Sequence, residues 1–152
     1  MSGTYFVSPN DFGGILFRLG LALLFGAVIG WEREVRHKPA GFRTNILVSF
    51  GAALFVLVPI QVGAAEESAD ALSRVIQGIA TGVGFVGGGA ILRESPSRSG
   101  STGVRGLTSA AAIWVSAALG IVAGAGLWQL GLIGTILSFV VLELFKKIEP
   151  SG

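Results

Sequence analysis

The 152 residues are 51% hydrophobic and only 13% charged, whereas soluble domains carry charges on roughly a quarter of their residues. Such a chain has too few polar side chains to cover a surface exposed to water. With no cysteine and a single histidine, His37, neither disulfides nor thiolate or histidine metal sites are expected. The net charge of +2 comes from basic residues between apolar runs, which indicates membrane topology rather than nucleic-acid binding.

Five apolar segments follow one another along the chain, each close to the length of about 20 residues with which a helix crosses a bilayer. They cover residues 12–31, 42–63, 75–92, 107–125 and 128–145. A backbone exposed to lipid must satisfy its own hydrogen bonds, so all five are predicted to be helices. We therefore expect an all-α, polytopic transmembrane bundle that forms one domain over residues 1–152, without a cytosolic carboxyl-terminal domain.

Few polar side chains lie within the predicted spans. Arg18 and Glu143 are close enough to an interface to be expected to snorkel towards water. No Asp or Glu lies near the middle of a span, which counts against a proton-coupled pump or a carboxylate-lined ion pathway. Trp114 is expected to pack between glycine-rich faces. The mid-depth polar residues expected to form hydrogen bonds between helices are Gln77, Thr81, Ser116, Thr135 and Ser138.

Glycine contributes 24 residues and is concentrated in the spans. Small residues four apart allow helix backbones to approach closely in lipid, so such pairs are interpreted as helix-packing positions. In the third span an alternative is that the helix bends or unwinds and lines a cavity. The paired glycines are Gly26 and Gly30, Gly78 and Gly82, Gly84 and Gly88, and Gly120 and Gly124.

The densest charged cluster lies between the first two spans, and a related group precedes the fourth. The candidate ligand or partner residues are Glu32, Arg33, Glu34, Gly41, Arg43, Thr44, Arg105, Gly106 and Thr108. The two carboxylates could bind a hard cation such as Mg²⁺. Alternatively, the arginines beside helix amino ends could hold an anion or a lipid phosphate. The third interpretation is a set of topology anchors and ion pairs.

The two charged loops belong to hairpins that resemble each other weakly. The first reads GAVIGWERE, a loop and GFRTNILVSFGAALF, and the second reads GGGAILRE, a loop and VRGLTSAAAIWVSAALG. This pattern is compatible with a parallel repeat, or with two loops that independently obey the positive-inside rule and the preference for Thr at helix starts. If the repeat is real, the helix starts at Arg43/Thr44 and Arg105/Thr108 should lie close together.

Four consecutive motifs resemble the membrane domain of the MgtC/SapB family. They are GAVIGWERE (26–34), AGFRTNILVSFGAALF (40–55), QGIATGVGFVGGGAIL (77–92) and RGLTSAAAIWVSAALGIVAGAG (105–126). The resemblance covers about residues 12–145 and is closest to the short, SapB-like members. The matching signature positions are Gly30, Glu32, Arg33, Glu34, Gly41, Arg43 and Thr44, followed by Gly82, Gly84, Gly87, Gly106, Leu107 and Thr108.

The resemblance implies a bacterial inner-membrane protein linked to Mg²⁺ homeostasis, low-Mg²⁺ growth and, in pathogens, survival in macrophages. It points to a regulator that acts through a membrane partner and not to an enzyme, and no cofactor or bound metal is expected. The alternative is a small oligomeric ion transporter or channel. The partners that the resemblance suggests are a second copy of the chain or a membrane protein such as the F-type ATP synthase.

The distribution of basic residues predicts the orientation. Nine of the eleven Lys and Arg residues fall on one side if the amino end is outside and the carboxyl end is cytoplasmic, as the positive-inside rule requires. A reporter that is active only outside the cytoplasm, fused after Gly152, should therefore be silent. Reporter activity at that position would contradict the five-span topology.

Overall fold

The computed structural model describes residues 11–94 and 106–147. Within them the chain is helical and contains no strand, which confirms the predicted all-α fold. The α-helices are α1 (Phe12–Val35), α2 (Phe42–Gln61), α3 (Ala64–Glu67), α4 (Ala69–Glu94), α5 (Leu107–Gly124) and α6 (Trp128–Leu144), followed by a 3₁₀ turn (Phe145–Lys147).

Four of these helices, α1, α2, α4 and α5, are long and apolar enough to cross a membrane, and α6 is a shorter apolar helix of 17 residues. Large apolar side chains such as Phe12, Phe85 and Leu92 are exposed on the outside of the bundle, as lipid-facing residues would be. The chain is thus a multi-pass membrane protein by the length and composition of its helices. The third apolar helix begins at Ala69 rather than at residue 75, because the polar segment before the span is also helical.

Helix α5 lies at the centre of the bundle and contacts α1, α2, α4 and α6. The neighbouring α1 and α2 also pack against each other, whereas α4 lies outside against α2 and α5, and α6 lies outside against α1 and α5. Two clusters of buried apolar side chains hold these helices together, one around Phe25 and Ile29 and the other around Val56 and Ile60.

Four of the predicted packing glycines lie where two helix backbones almost touch. A methyl group added at Gly26 would meet the carbonyl oxygen of Asn45 at 2.7 Å, and one added at Gly30 would meet Cα of Phe42 at 2.8 Å. At Gly124 it would meet the Ala53 carbonyl oxygen at 2.8 Å, and at Gly120 it would overlap the carbonyl oxygen of Ser49. These positions join α1 to α2 and α2 to α5.

The glycines of α4 behave differently. A methyl group added at Gly78, Gly82, Gly84 or Gly88 would meet no atom of another helix within 4 Å, so these glycines do not pack against a neighbouring helix in the described part of the chain. The reason is the outer position of α4, of which only 11% of the most apolar window is buried, against 44% for α2. The third span does not unwind, because α4 is an unbroken helix.

Trp114 likewise does not pack between glycine-rich faces. Its side chain is 56% exposed, so the prediction of an internal packing role is wrong. The central helix α5 therefore turns its small residues towards its neighbours and Trp114 towards the surface of the bundle.

The contrast between α5 and α4 predicts opposite effects for the same substitution. Gly120→Ala should destabilise the protein by about 1–3 kcal/mol because its methyl group must displace the α2 backbone. Gly82→Ala should leave the free energy of unfolding unchanged or raise it, since alanine favours a helix more than glycine and meets open space. Unfolding of the two variants in one detergent tests this, and equal losses would contradict it.

Candidate functional site

Three helix ends and two helix starts meet at one end of the bundle, which we call the basic end. Side-chain bonds join the end of α1 to the starts of α2 and α5 and to the end of α6, and α4 approaches α5 here through Gly87 and Ala110. Most of the predicted candidate residues lie at this end. The arrangement is built around the last turn of α1.

A chain of alternating charges connects α1 to α6. Glu32 is only 3% exposed, and one of its carboxylate oxygens lies 3.1 Å from Nε of Arg36. Arg36 in turn donates a hydrogen bond of 2.6 Å to Glu143 on α6. This hydrogen bond raises the pKa of the Arg36 guanidinium above its usual value.

Arg33 connects the same turn of α1 to the start of α5. Its side chain is almost completely buried, and Nη2 donates a hydrogen bond of 2.7 Å to the hydroxyl oxygen of Ser109. The second terminal nitrogen, Nη1, lies 3.7 Å from Glu32. A buried arginine next to a carboxylate and a hydroxyl fixes the orientation of two helices, because breaking either contact leaves a charge in an apolar environment.

Glu34 points to the opposite side of α1 and caps α2. Its carboxylate accepts a hydrogen bond of 2.9 Å from the backbone N–H of Phe42, the first residue of that helix. Gly41 has no side chain that could cap α2, and a methyl group there would overlap the Glu34 carboxylate. The carboxylate satisfies an amide that lacks a partner in its own helix and lies favourably at the positive end of the helix dipole.

A second polar group continues from the start of α2 into the bundle. Asn45 is fully buried and donates hydrogen bonds of 2.9 Å to the carbonyl oxygens of Ala40 and Gly41. Its own side-chain oxygen accepts a hydrogen bond of 2.8 Å from Ser116 on α5. One turn further, Ser49 donates to the carbonyl oxygen of Ala22 on α1 at 2.7 Å. These bonds tie α2 to both of its main neighbours.

The two predicted helix starts open into different pockets. Arg43 is exposed and, with Thr44, lines a pocket of about 450 Å³ beside Trp31 and Glu34. Thr108 lines another pocket of about 700 Å³, formed with the ends of α1 and α6, and Gly106 is the N-cap of α5. Arg105 lies outside the described residues, so its predicted proximity to Arg43 is untested.

The predicted cation site is not assembled as the sequence suggested. Glu32 lies with arginines on the α5 and α6 side of α1, and Glu34 caps α2 on the other. Among the described residues there is no group of three or more His, Cys, Asp or Glu side chains that could hold a metal ion.

Several polar residues within the spans have other roles than expected. Thr81, Thr135 and Ser138 each donate to a carbonyl oxygen four residues earlier in their own helix, so the prediction of hydrogen bonds between helices is wrong for these three. Arg18 does not snorkel. It is buried and donates to the carbonyl oxygen of Gly124 at the end of α5, where a cation is favoured by the helix dipole. Glu143 is 42% exposed at the basic end, where it pairs with Arg36.

Sequence reasoning missed three buried residues of the polar framework, namely Asn45, Ser49 and Ser109. Asn45 carried a usable signal: an asparagine just inside an apolar span is costly unless its amide is fully hydrogen-bonded. The two serines gave no such signal, because a serine can always bond to its own helix.

The burial of Glu32 and the exposure of Glu34 predict different costs for the same chemical change. Glu32→Gln should destabilise the protein by about 3 kcal/mol or more, because it leaves the buried Arg33 next to a neutral group. Glu34→Gln should cost only about 0.5–1 kcal/mol, since the amide oxygen can still cap α2. Equal losses in chemical unfolding of the two purified variants would contradict this assignment.

Comparison with known proteins gives consistent matches along most of the chain. It is 53% identical over 148 residues to Protein SrpB of Synechococcus elongatus, covering 95% of this chain and 81% of that protein. It is 40% identical over 137 residues to the "Putative magnesium transporter YhiD" of Escherichia coli K12, covering 88% of this chain and 61% of YhiD. Protein MgtC of Brucella abortus is 39% identical over 127 residues, covering 84% of this chain and 49% of that protein.

The chain thus spans only about half to three fifths of the length of YhiD and MgtC, and the activities of those longer proteins are not transferred with the match. No solved structure is significantly similar. The family model named MgtC family matches residues 19–151. Together with the identity to SrpB over nearly the whole chain, this match shows that the chain belongs to the MgtC family.

Proposed function

We propose that this chain is a non-enzymatic protein of the bacterial inner membrane that serves Mg²⁺ homeostasis by binding another membrane protein. The link to Mg²⁺ is supported by membership of the MgtC family and by the name of YhiD, which refers to magnesium transport. The proposal includes five spans with the carboxyl end in the cytoplasm. The 17 residues of α6 are at the lower limit of about 17–25 residues for a membrane-spanning helix.

The observation that carries the proposal is the open face of α4. Gly78, Gly82, Phe85 and Gly89 follow one another on one side of this helix, and all four are exposed. Beside them lies a groove of about 530 Å³ between α2 and α4, whose wall also includes Gly51 of α2. Its lining is apolar, with leucine, valine, isoleucine and phenylalanine side chains around the glycines.

Open glycines in a helix need a physical reason. Each costs about 0.8–1 kcal/mol relative to alanine in a helix interior, and at Gly78, Gly82, Gly84 and Gly88 no contact within the described chain offsets that cost. A transmembrane helix that approaches the α4 backbone would offset it, because small residues at this spacing permit close contact in lipid. We therefore assign the groove to an apolar helix that places a bulky side chain over Gly78 and Gly82.

The same face is less suited to a second copy of this chain. In a symmetric dimer each residue near the axis faces its own counterpart. The two Phe85 side chains, each 86% exposed, would then lie at the same depth and compete for the same space. A partner of different sequence avoids this conflict, so we assign the face to another membrane protein.

Photo-crosslinking in living cells tests the docking face. Benzoylphenylalanine in place of Phe85 should give an adduct with another membrane protein, and Gly82→Leu should reduce its yield without lowering the stability of the purified protein. The matched control is the same probe at Ile133, which is 57% exposed on α6 and should give no such adduct. Adducts with lipid alone at both positions would refute the docking face, and an adduct of twice the chain mass would replace the partner by a second copy.

A flux assay tests the other part of the proposal. Purified protein in liposomes should move neither Mg²⁺ nor common anions faster than empty vesicles do. The competing function, a small oligomeric transporter, is favoured by the name of YhiD. Saturable uptake that is abolished by an Arg43 substitution would establish that function in place of partner binding.

A further inference from the structure

A pocket at the basic end combines positive charge with an apolar wall. We call it the basic pocket; its volume is about 700 Å³, and it is enclosed by the end of α1, the start of α5 and the end of α6. Its lining includes five basic residues, which are Arg33, Arg36, His37, Lys38 and Lys146. It is distinct from the pocket that contains Arg43 and Thr44.

The charges of this pocket do not cancel. The carboxylates of Glu32 and Glu143 are engaged with Arg33 and Arg36. At the rim, Lys38 and Lys146 are exposed, and neither forms an ion pair with a carboxylate in the described part of the chain. The two exposed lysines therefore give the pocket an excess of positive charge, beside arginines that are already paired with carboxylates. An anion at the rim would be attracted without having to displace the internal ion pairs.

Part of the pocket wall is apolar. It is formed by Val141, Leu142 and Phe145 of α6 and the turn that follows it, and by Val35 of α1. Val141, Phe145 and Val35 are exposed, although they lie beside charged groups. Such a surface suits a molecule with an anionic head and an apolar body, because the head then lies beside positive charge and the body lies against apolar side chains.

The backbone conformation of His37 is a third indication of a ligand site in the basic pocket. It follows the end of α1 with φ +53°, in the left-handed region that favours glycine. The backbone N–H of His37 donates to the backbone carbonyl oxygen of Glu34, and that of Lys38 donates to the carbonyl oxygen of Arg33. This is the pattern of a Schellman motif. Helix α5 ends in the same motif with Gly126 in the corresponding position. Glycine would be less strained than histidine at this position, and the imidazole that stands there lines the basic pocket.

We propose that the basic pocket binds the phosphate of an anionic phospholipid, with Lys38, Lys146 and His37 at the phosphate and the acyl chains against Val141 and Phe145. The basic residues would attract the phosphate of a lipid and free inorganic phosphate alike, and the apolar wall favours the lipid. Clusters of basic residues between helices at a membrane surface are suited to such head groups. This site does not depend on partner binding at α4.

The test is a titration of the purified full chain in detergent, followed by its thermal unfolding. Phosphatidylglycerol should raise the Tm in a saturable manner, whereas phosphatidylcholine should not. Lys38→Gln/Lys146→Gln should weaken the apparent affinity for phosphatidylglycerol about 10- to 30-fold. The matched control, Arg74→Gln/Arg93→Gln, removes the same charge at exposed positions outside the pocket and should retain the affinity.

His37→Gly separates binding from stability. This variant should unfold at an equal or higher Tm without lipid, because glycine relieves the backbone strain, yet it should bind phosphatidylglycerol more weakly. Equal losses of affinity in the lysine variant and the arginine control would show general surface attraction and overturn the site. A Tm increase with inorganic phosphate at matched ionic strength, without one for phosphatidylglycerol, would overturn the lipid assignment, as would unchanged binding by His37→Gly.

Discussion

The structure depends on the close approach of three helix backbones at one level of the bundle. Gly120 of α5 leaves room for the backbone of α2 at Ser49, and the hydroxyl of Ser49 bonds to the carbonyl oxygen of Ala22 on α1. One turn away, Asn45 and Ser116 form a fully buried hydrogen bond between α2 and α5. In lipid, where water cannot satisfy these groups, small residues and paired polar side chains are what hold helices together.

This inner group of α1, α2 and α5 determines the roles of the other helices. Once α2 is held between its two neighbours, α4 and α6 can pack only on the outside. Their outward faces meet lipid or another protein, and on α4 that face is made of glycines beside an apolar groove. Glycine thus serves internal packing in α5 and leaves an open surface in α4. The packing of α1, α2 and α5 against one another therefore determines which glycines remain exposed.

The two ends of the bundle are fixed by arginines in different environments. At one end Arg18 is buried and bonds to the last turn of α5, where the carbonyl groups lack partners of their own. At the other end Arg33 and Arg36 connect α1 to α5 and α6 through a serine and two glutamates. The inner charges at the basic end are therefore structural, and the exposed lysines around them are the ones available to a ligand.

The sequence by itself determined the fold class, the number and approximate limits of the apolar helices and the end at which the basic residues lie. Apolar length and charge are properties of single segments, and a lipid environment allows such segments only to be helices. The largest error in a helix limit, at the start of α4, concerns a polar turn that extends beyond the apolar run.

Only the tertiary structure decided which residues meet. The pairs Gly78/Gly82 and Gly120/Gly124 have the same spacing, yet only the second lies against another backbone, because spacing does not reveal which helix stands opposite. Likewise Asn45 and Ser116 found partners across helices while Thr81 and Thr135 bonded within their own, a choice that depends on the neighbour at the same depth. For the same reason Glu32 and Glu34, two residues apart, serve different helices: successive positions on a helix face different sides.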